Sequence, residues 1–276
     1  MKIDGKLIAS EILSDLKARV DVLKDLRGIT PHLYVILLIN DASTLAYIKQ
    51  KKLRSEEIGA KITIDDSTPN ITTDELLEKI EELNNDKTIS GIIVQRPLPK
   101  NLDEEKITNA VSIDKDVDGF NPNSKFKIPV GLAILEILKN IHKENFKEWL
   151  SVQRIAVIGK GLTAGGPIIK TFRKLGLNPQ VISSQTENRK YILKNSNIVV
   201  SAVGKAGIVK SEDLKQGVIL IGVGMHTENG KLKGDYNETE IESTAGFYTP
   251  TPGGVGPVNV ASLMRNLVES AENQSA

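Results

Sequence analysis

At 276 residues the chain exceeds the usual size of one domain, so two domains of ordinary size are expected, each able to bury a core without staples. It has no cysteine, which excludes a disulfide framework, thiol catalysis and thiolate metal sites, and fits a reducing compartment such as the cytoplasm. The 36 basic and 35 acidic side chains leave a formal charge of +1, with no electrostatic footprint for nucleic acid or an anionic membrane, so small solutes are the expected partners.

Apolar residues at Leu7, Ile8, Ile12, Leu16, Val20 and Leu23 fall at the three-and-four spacing of an amphipathic helix from Lys6 to about Leu26. The run HLYVILLIN (32–40) predicts a buried strand. A helix over 41–59 follows, with Asp41 or Ser43 as cap and Gly59 as stop, and then a strand AKITI (60–64). Thr72 to Glu75 is a capping box opening a helix to about Asn85, and GIIVQ (91–95) is the next strand. After a loop over 111–128 and a helix from Pro129 to His142 the alternation restarts with strands at 154–159, 179–183, 197–202 and 217–222 and a helix near 165–176. No apolar run approaches the ~20 residues needed to cross a bilayer, and no signal-peptide core follows Met1. The expected architecture is α/β: an N-terminal α/β substrate domain (1–121) and a C-terminal Rossmann-type doubly wound parallel sheet (122–276), flanking a cleft.

IAVIGKGLTAGGP (155–167) places Gly159, Gly161 and Ala164 between a strand and a helix, matching the dinucleotide template G-x-G-x-x-[GA]. Glycines there let the backbone approach a pyrophosphate, and the free N–H groups and dipole of the following helix favour its charge. The second strand ends Val181-Ile182-Ser183-Ser184-Gln185 without the acid that selects NAD, while Lys160 and Arg189 carry charge suited to a 2′-phosphate; NADP is expected ahead of NAD. Both cations also read as plain solvated surface charges.

Ligands of open parallel sheets bind outside the carboxyl ends of the strands, which turns attention in the first domain to three features. Tyr47 and Lys51 lie four residues apart on one helix face, Gln95 follows GIIV, and Asp118 precedes Gly119 in KDVDGF (115–120). Each has a plain alternative: a solvated basic helix for Lys51, a half-buried core tyrosine, a strand-end cap for Gln95, and an Asx-turn for Asp118. His32, His142 and His226 sit in no metal-ligand spacing, so no metal is expected and all three are read as structural.

Y-I-K-Q-K (47–51), VQRPLP (94–99), DKDVDGFNP (114–122), VIGKG with AGGP (157–167) and TPTPGGVGP (249–257) lie in one order over nearly the whole chain. Together they resemble the bifunctional methylenetetrahydrofolate dehydrogenase/cyclohydrolase family. The resemblance implies NADP-dependent oxidation of 5,10-methylenetetrahydrofolate to 5,10-methenyltetrahydrofolate, hydrolysis to 10-formyltetrahydrofolate at the same site, and a homodimer. It implies that Lys51 is central to the hydrolytic step, that Tyr47 and Gln95 shape the site around it and that Asp118 holds the pterin. Gly253, Gly254 and Pro257 would contact substrate, with the prolines stiffening a cleft wall before a last helix (about 258–273) that returns to the N-terminal domain. The implied cofactor positions are Gly159, Lys160, Gly161, Ser184 and Met225.

Three stretches depart from the family pattern. Arg96 stands where leucine or methionine is usual, placing a cation beside Gln95. Lys127-Ile128-Pro129-Val130-Gly131 replaces C-T-P-x-G, and Lys160 and Gly161 replace an arginine and a serine. Two rival readings share the architecture: a shikimate-dehydrogenase-like enzyme, which does not account for TPTPGGVGP, and a nucleotide-sensing module without catalysis.

Overall fold

The structure, a computed structural model, describes residues 1–66 and 71–274, without the side chains of Ala42 and Ser43. The chain divides into two compact units. The first unit is Ser10–Pro129 with Val260–Ala276, and the second is Met1–Ala9 with Val130–Asn259.

In the first unit β1 (His32–Ile36) lies between β2 (Lys61–Asp65) and β3 (Gly91–Val94), all parallel. In the central strand Leu33, Val35 and Ile36 are fully buried because both of its faces are covered. Helix α1 (Gly5–Arg27) turns Ile12, Leu13, Leu16, Val20 and Leu23 inward at the expected spacing, while Leu7 is exposed. Helix α2 (Ala42–Glu57) is capped by Asp41, which accepts from the Thr44 N–H at 2.9 Å; the alternative cap, the Ser43 side chain, lies outside the described residues. Helix α3 (Thr73–Asn85) opens on the predicted Thr72–Glu75 capping box. A short helix, α4 (Glu104–Ala110), was not expected from the sequence.

The boundary falls at 129/130 rather than 121/122. The stretch 122–129 stays with the first unit because the Lys125 N–H donates to Ile113 at 3.2 Å and the Asn266 amide donates to Lys127 at 2.8 Å, with Phe126 and Ile128 buried.

The second unit begins with α5 (Pro129–Ile141) and α6 (Phe146–Ser151). Its sheet is built from β4 (Ile155–Ile158), β5 (Gln180–Ile182), β6 (Ile198–Ser201) and β7 (Val218–Gly222), separated by α7 (Gly165–Lys174) and α8 (Arg189–Asn195). After β7 come an antiparallel hairpin, β8 (Met225–Glu228) and β9 (Lys231–Gly234), the short α9 (Glu238–Ile241), and a fifth parallel strand, β10 (Ala245–Tyr248). The order β10-β7-β6-β4-β5 is doubly wound, and its direction reverses between β4 and β6. Helix α10 (Val255–Gln274) begins three residues before the expected start, so Gly256 and Pro257 belong to its first turn. Among the described residues no helix is long and apolar enough to cross a membrane.

Candidate active site

In the first unit the chain reverses direction between β1 and β3, and the carboxyl ends of those strands are where a parallel sheet offers a site. Gln95 stands there, pinned by its N–H donating to Ile36 at 2.9 Å, which extends the ladder one residue past β3. Lys51 reaches it from α2, its Nζ donating to Gln95 Oε1 at 2.8 Å. A lysine that is 7% exposed is rare, and this one has no carboxylate within ion-pair distance among the described residues. Burial pushes its pKa down from the ordinary lysine value, while the charge of Asp118 works in the opposite direction. Tyr47 lies one helical turn earlier on the same face, half-buried, and desolvation raises its phenol pKa. The basic-helix alternative therefore fails for Lys51, although Lys49 and Lys52 beside it are exposed.

The loop carrying Asp118 is tied by a different aspartate from the one the sequence suggested. Asp116 makes the turn, accepting from the N–H groups of Gly119 at 3.1 Å and Asn121 at 2.8 Å. Gly119 holds φ +70°, and a Cβ there would meet the Ile128 nitrogen at 2.9 Å. Asp118, released from that duty, has no hydrogen-bond partner among the described residues and is free to take one from a ligand. Desolvation pushes the Asp116 carboxyl up to about 6, against the hydrogen bonds it accepts. The structure thus brings Lys51, Gln95 and the field of Asp118 together, with Tyr47 adjoining.

The remaining predicted residues belong to the second unit. Gly159 follows β4 with φ +96°, and a Cβ there would meet the carbonyl oxygen of Ala202 at 2.5 Å, so glycine is required where the loops after β4 and β6 meet at the reversal of strand order. Gly165 is required likewise, since its Cβ would meet Gly159 O at 2.2 Å. Nothing lies within 4 Å of a Cβ at Gly161, which leaves open space over the loop and the first turn of α7, as a pyrophosphate cradle needs. Lys160 lines a groove of about 680 Å³ with Gly166, Lys170, Arg173, Lys174 and Val181. Ser184 is exposed just past β5, and Met225 opens β8 with its carbonyl against Gly204. Arg189, the other cation considered for a 2′-phosphate, instead donates to the Ile208 carbonyl.

The glycines of TPTPGGVGP have an intrinsic role. Gly253 has φ +102°, and a Cβ on Gly254 would meet Pro250 O at 2.5 Å. The Gly254 carbonyl in turn lies 1.9 Å from where a Cβ on Gly5 would stand, so the segment is first of all packed against its own chain. Of the histidines, His32 pairs with Thr63 Oγ1 at 2.8 Å and His142 stacks on Trp149 with centroids 4.7 Å apart.

The model of the tetrahydrofolate dehydrogenase/cyclohydrolase catalytic domain matches residues 3–118, and that of the corresponding NAD(P)-binding domain matches 130–275. The chain belongs to this family. The bifunctional protein FolD of Staphylococcus carnosus is 38% identical over 274 residues, covering 96% of this chain and 94% of that protein. The crystal structure of the FolD dehydrogenase/cyclohydrolase from Campylobacter jejuni superposes with a TM-score of 0.92 at 31% identity, covering 99% of each chain. That of the Trypanosoma brucei enzyme, complexed with NADP and an inhibitor, gives 0.90 at 27% identity, covering 99% of this chain and 97% of that one. As a tetrahydrofolate dehydrogenase/cyclohydrolase, the chain is a two-activity folate enzyme with an NAD(P)-binding domain.

Proposed function

We propose that the chain oxidises 5,10-methylenetetrahydrofolate with NADP and hydrolyses the resulting methenyl compound to 10-formyltetrahydrofolate, with Lys51 handling the proton of the hydrolytic step. The observation that carries this reading is the buried Lys51 amine held at 2.8 Å from Gln95 Oε1, beside the uncommitted carboxylate of Asp118. NADP, when bound, supplies the hydride acceptor. Loss of hydride leaves a cationic methenyl bridge between two nitrogens. Water adds its oxygen to the bridge carbon and gives up one proton; its second proton passes to the departing nitrogen as one carbon–nitrogen bond opens, leaving the formyl group on the other nitrogen.

Lys51 suits the acceptance of that proton, because burial favours its neutral amine and a cationic substrate favours it further. A lysine can only donate to an amide oxygen, so Gln95 fixes the direction of the amine. Tyr47 walls the same helix face. Asp118 matches the paired N–H donors on the edge of a pterin.

Preference for NADP over NAD is supported by the missing acid after β5 and by the cationic groove. Lys160, Lys170, Arg173 and Lys174 line it with no acidic partner among the described residues, which suits a 2′-phosphate. Gly159, Gly161, Ser184 and Met225 would line the rest of the nucleotide site, with Gly253, Gly254 and Pro257 on the folate. The working form is proposed to be a homodimer, which sedimentation would test.

The deciding experiment mixes purified protein with 5,10-methylenetetrahydrofolate and NADP or NAD and follows reduced cofactor and methenyl absorbance. Faster reduction with NADP and decay of the methenyl signal are expected. Lys51→Met should still reduce and bind NADP while the methenyl compound accumulates. Wild-type hydrolysis by that variant would refute the role of Lys51, and no reduction with either cofactor would favour a sensor.

A further inference from the structure

Arg96 departs from the family pattern at the residue next to Gln95, and both terminal nitrogens of its guanidinium are engaged by the protein. One arm forms an ion pair with Glu104, another donates to Thr108 Oγ1 at 2.6 Å, and the guanidinium carbon stands 4.4 Å from the centre of the Phe120 ring. The side chain is 13% exposed. Glu104 and Thr108 are four residues apart on α4, so the planar fork spans one helical turn, a geometry that arginine provides and lysine does not. Phe120 lies two residues beyond Asp118 in the loop that Asp116 ties. The cation beside Gln95 is thus neutralised and turned onto the scaffold.

The backbone of Arg96 does something else. Its carbonyl accepts from Gln95 Nε2 at 2.8 Å, so the glutamine amide is held at both ends: nitrogen on Arg96 O, oxygen on Lys51 Nζ. Resting on the proposed role of Lys51 in hydrolysis, we propose that Arg96 is a positioning residue, whose side chain clamps the 95–96 segment to α4 and Phe120 so that its carbonyl keeps the Gln95 oxygen aimed at the Lys51 amine. The clamp replaces with an ion pair, a hydrogen bond and a cation–π contact what an aliphatic side chain supplies by packing alone. Because Phe120 follows Asp118, the same contact restrains the loop that carries the pterin-facing carboxylate.

The test uses the full-length protein and both activities. Arg96→Leu should lower kcat for hydrolysis of the methenyl compound about tenfold, the scale of a modest misplacement of a reacting group. The dehydrogenase kcat should stay within about twofold, since hydride transfer does not require the amine to be aimed. Arg96→Lys, which keeps the pairing with Glu104 and loses the fork, should fall between the two. Glu104→Gln, a change at an exposed helix position that keeps the core intact, should lower hydrolysis about threefold without lowering the dehydrogenase, and it supplies the test if Arg96→Leu does not fold. Unchanged hydrolysis in both variants would overturn the proposal. So would a parallel fall in both activities with a lower melting temperature, which marks a merely structural arginine. If Lys51→Met retains hydrolysis, the reading of Lys51 is lost. If Lys51→Met abolishes hydrolysis and Arg96→Leu does not lower it, only the clamp is lost.

Discussion

Asp235→Asn is expected to weaken the nucleotide unit far more than its single-atom change suggests. Asp235 is fully buried and accepts four hydrogen bonds. Oδ2 takes the Ser201 hydroxyl at 2.6 Å and the Val203 N–H at 3.0 Å; Oδ1 takes the N–H groups of Gly204 at 2.7 Å and Lys205 at 3.0 Å. With Gly204 at φ +75°, the three successive N–H groups form an anion-binding concavity filled by the chain's own carboxylate. It holds the loop after β6, at the reversal of strand order. Asparagine offers one acceptor and two donors, so in either orientation its NH2 faces backbone donors that cannot reverse. If the NH2 replaces Oδ2, the serine hydroxyl can turn to accept, but the Val203 N–H is orphaned. If it replaces Oδ1, two N–H groups are. The better orientation loses one charge-assisted bond at a buried site, at about 1.5–3 kcal/mol, which places the variant that far below the wild type. Urea titration should show a lower midpoint at unchanged slope, with NADP affinity falling alongside. A loss under about 1 kcal/mol would mean that the concavity holds its shape without the carboxylate.

Asp118→Asn should weaken folate binding more than NADP binding in parallel titrations, because Asp118 has no hydrogen bond of its own to lose among the described residues; equal losses would contradict a pterin contact. Asp116 carries a pH signature of unusual sign. A carboxyl pushed up to about 6 in the folded protein binds protons there that the unfolded chain, titrating near 4, has released, so its contribution is fully present below pH 4 and lost as pH rises through 6. The stability difference between wild type and Asp116→Asn should therefore fall by about 2–3 kcal/mol between pH 4 and 7, and a flat difference would refute the buried-carboxyl account.

How much of this was legible in the sequence depended on burial. Strands covered on both faces read as unbroken apolar runs, which is why β1, β3, β4, β6 and β7 stand where expected. The β8–β9 hairpin was missed because Thr227, Glu228, Lys231 and Lys233 are exposed and give no apolar alternation, although its turn, Asn229-Gly230, both at positive φ, is a two-residue hairpin signal that could have found it. In β10 the glycine at 246 interrupts a four-residue strand, and its apolar content looked like part of the loop before TPTPGGVGP. Helix α4 buries Ile107 alone, and its one sequence signal was the Asp103 cap with an acidic first turn. Within the site, residue type and spacing described Lys51 as one cation in a basic helix; only the family resemblance singled it out, and only the fold showed it buried on Gln95. Nor does the string D-K-D-V-D-G say which aspartate ties the turn. That is decided by which carboxylate can reach the N–H groups of residues 119 and 121.

The segment replacing C-T-P-x-G shows which parts of a motif belong to the scaffold. Lys127 contributes its carbonyl, which takes one hydrogen of the Asn266 amide at 2.8 Å while Val117 takes the other at 2.8 Å, so any side chain at 127 leaves that bridge intact. Ile128 is buried beside it, where an apolar group serves packing and a hydroxyl would need a partner. Pro129 opens α5, where a missing N–H costs nothing. Gly131 cannot change: a Cβ there would stand 2.1 Å from Thr171 Oγ1, and that hydroxyl is itself fixed on the Pro167 carbonyl at 2.9 Å. The two positions retained from the pattern are thus the two that backbone geometry and close packing demand, and of the two that vary one contributes only its main-chain carbonyl and the other a buried apolar side chain. The same reasoning separates Arg96 from them, because its side chain makes three contacts that leucine lacks, with Glu104, Thr108 and Phe120.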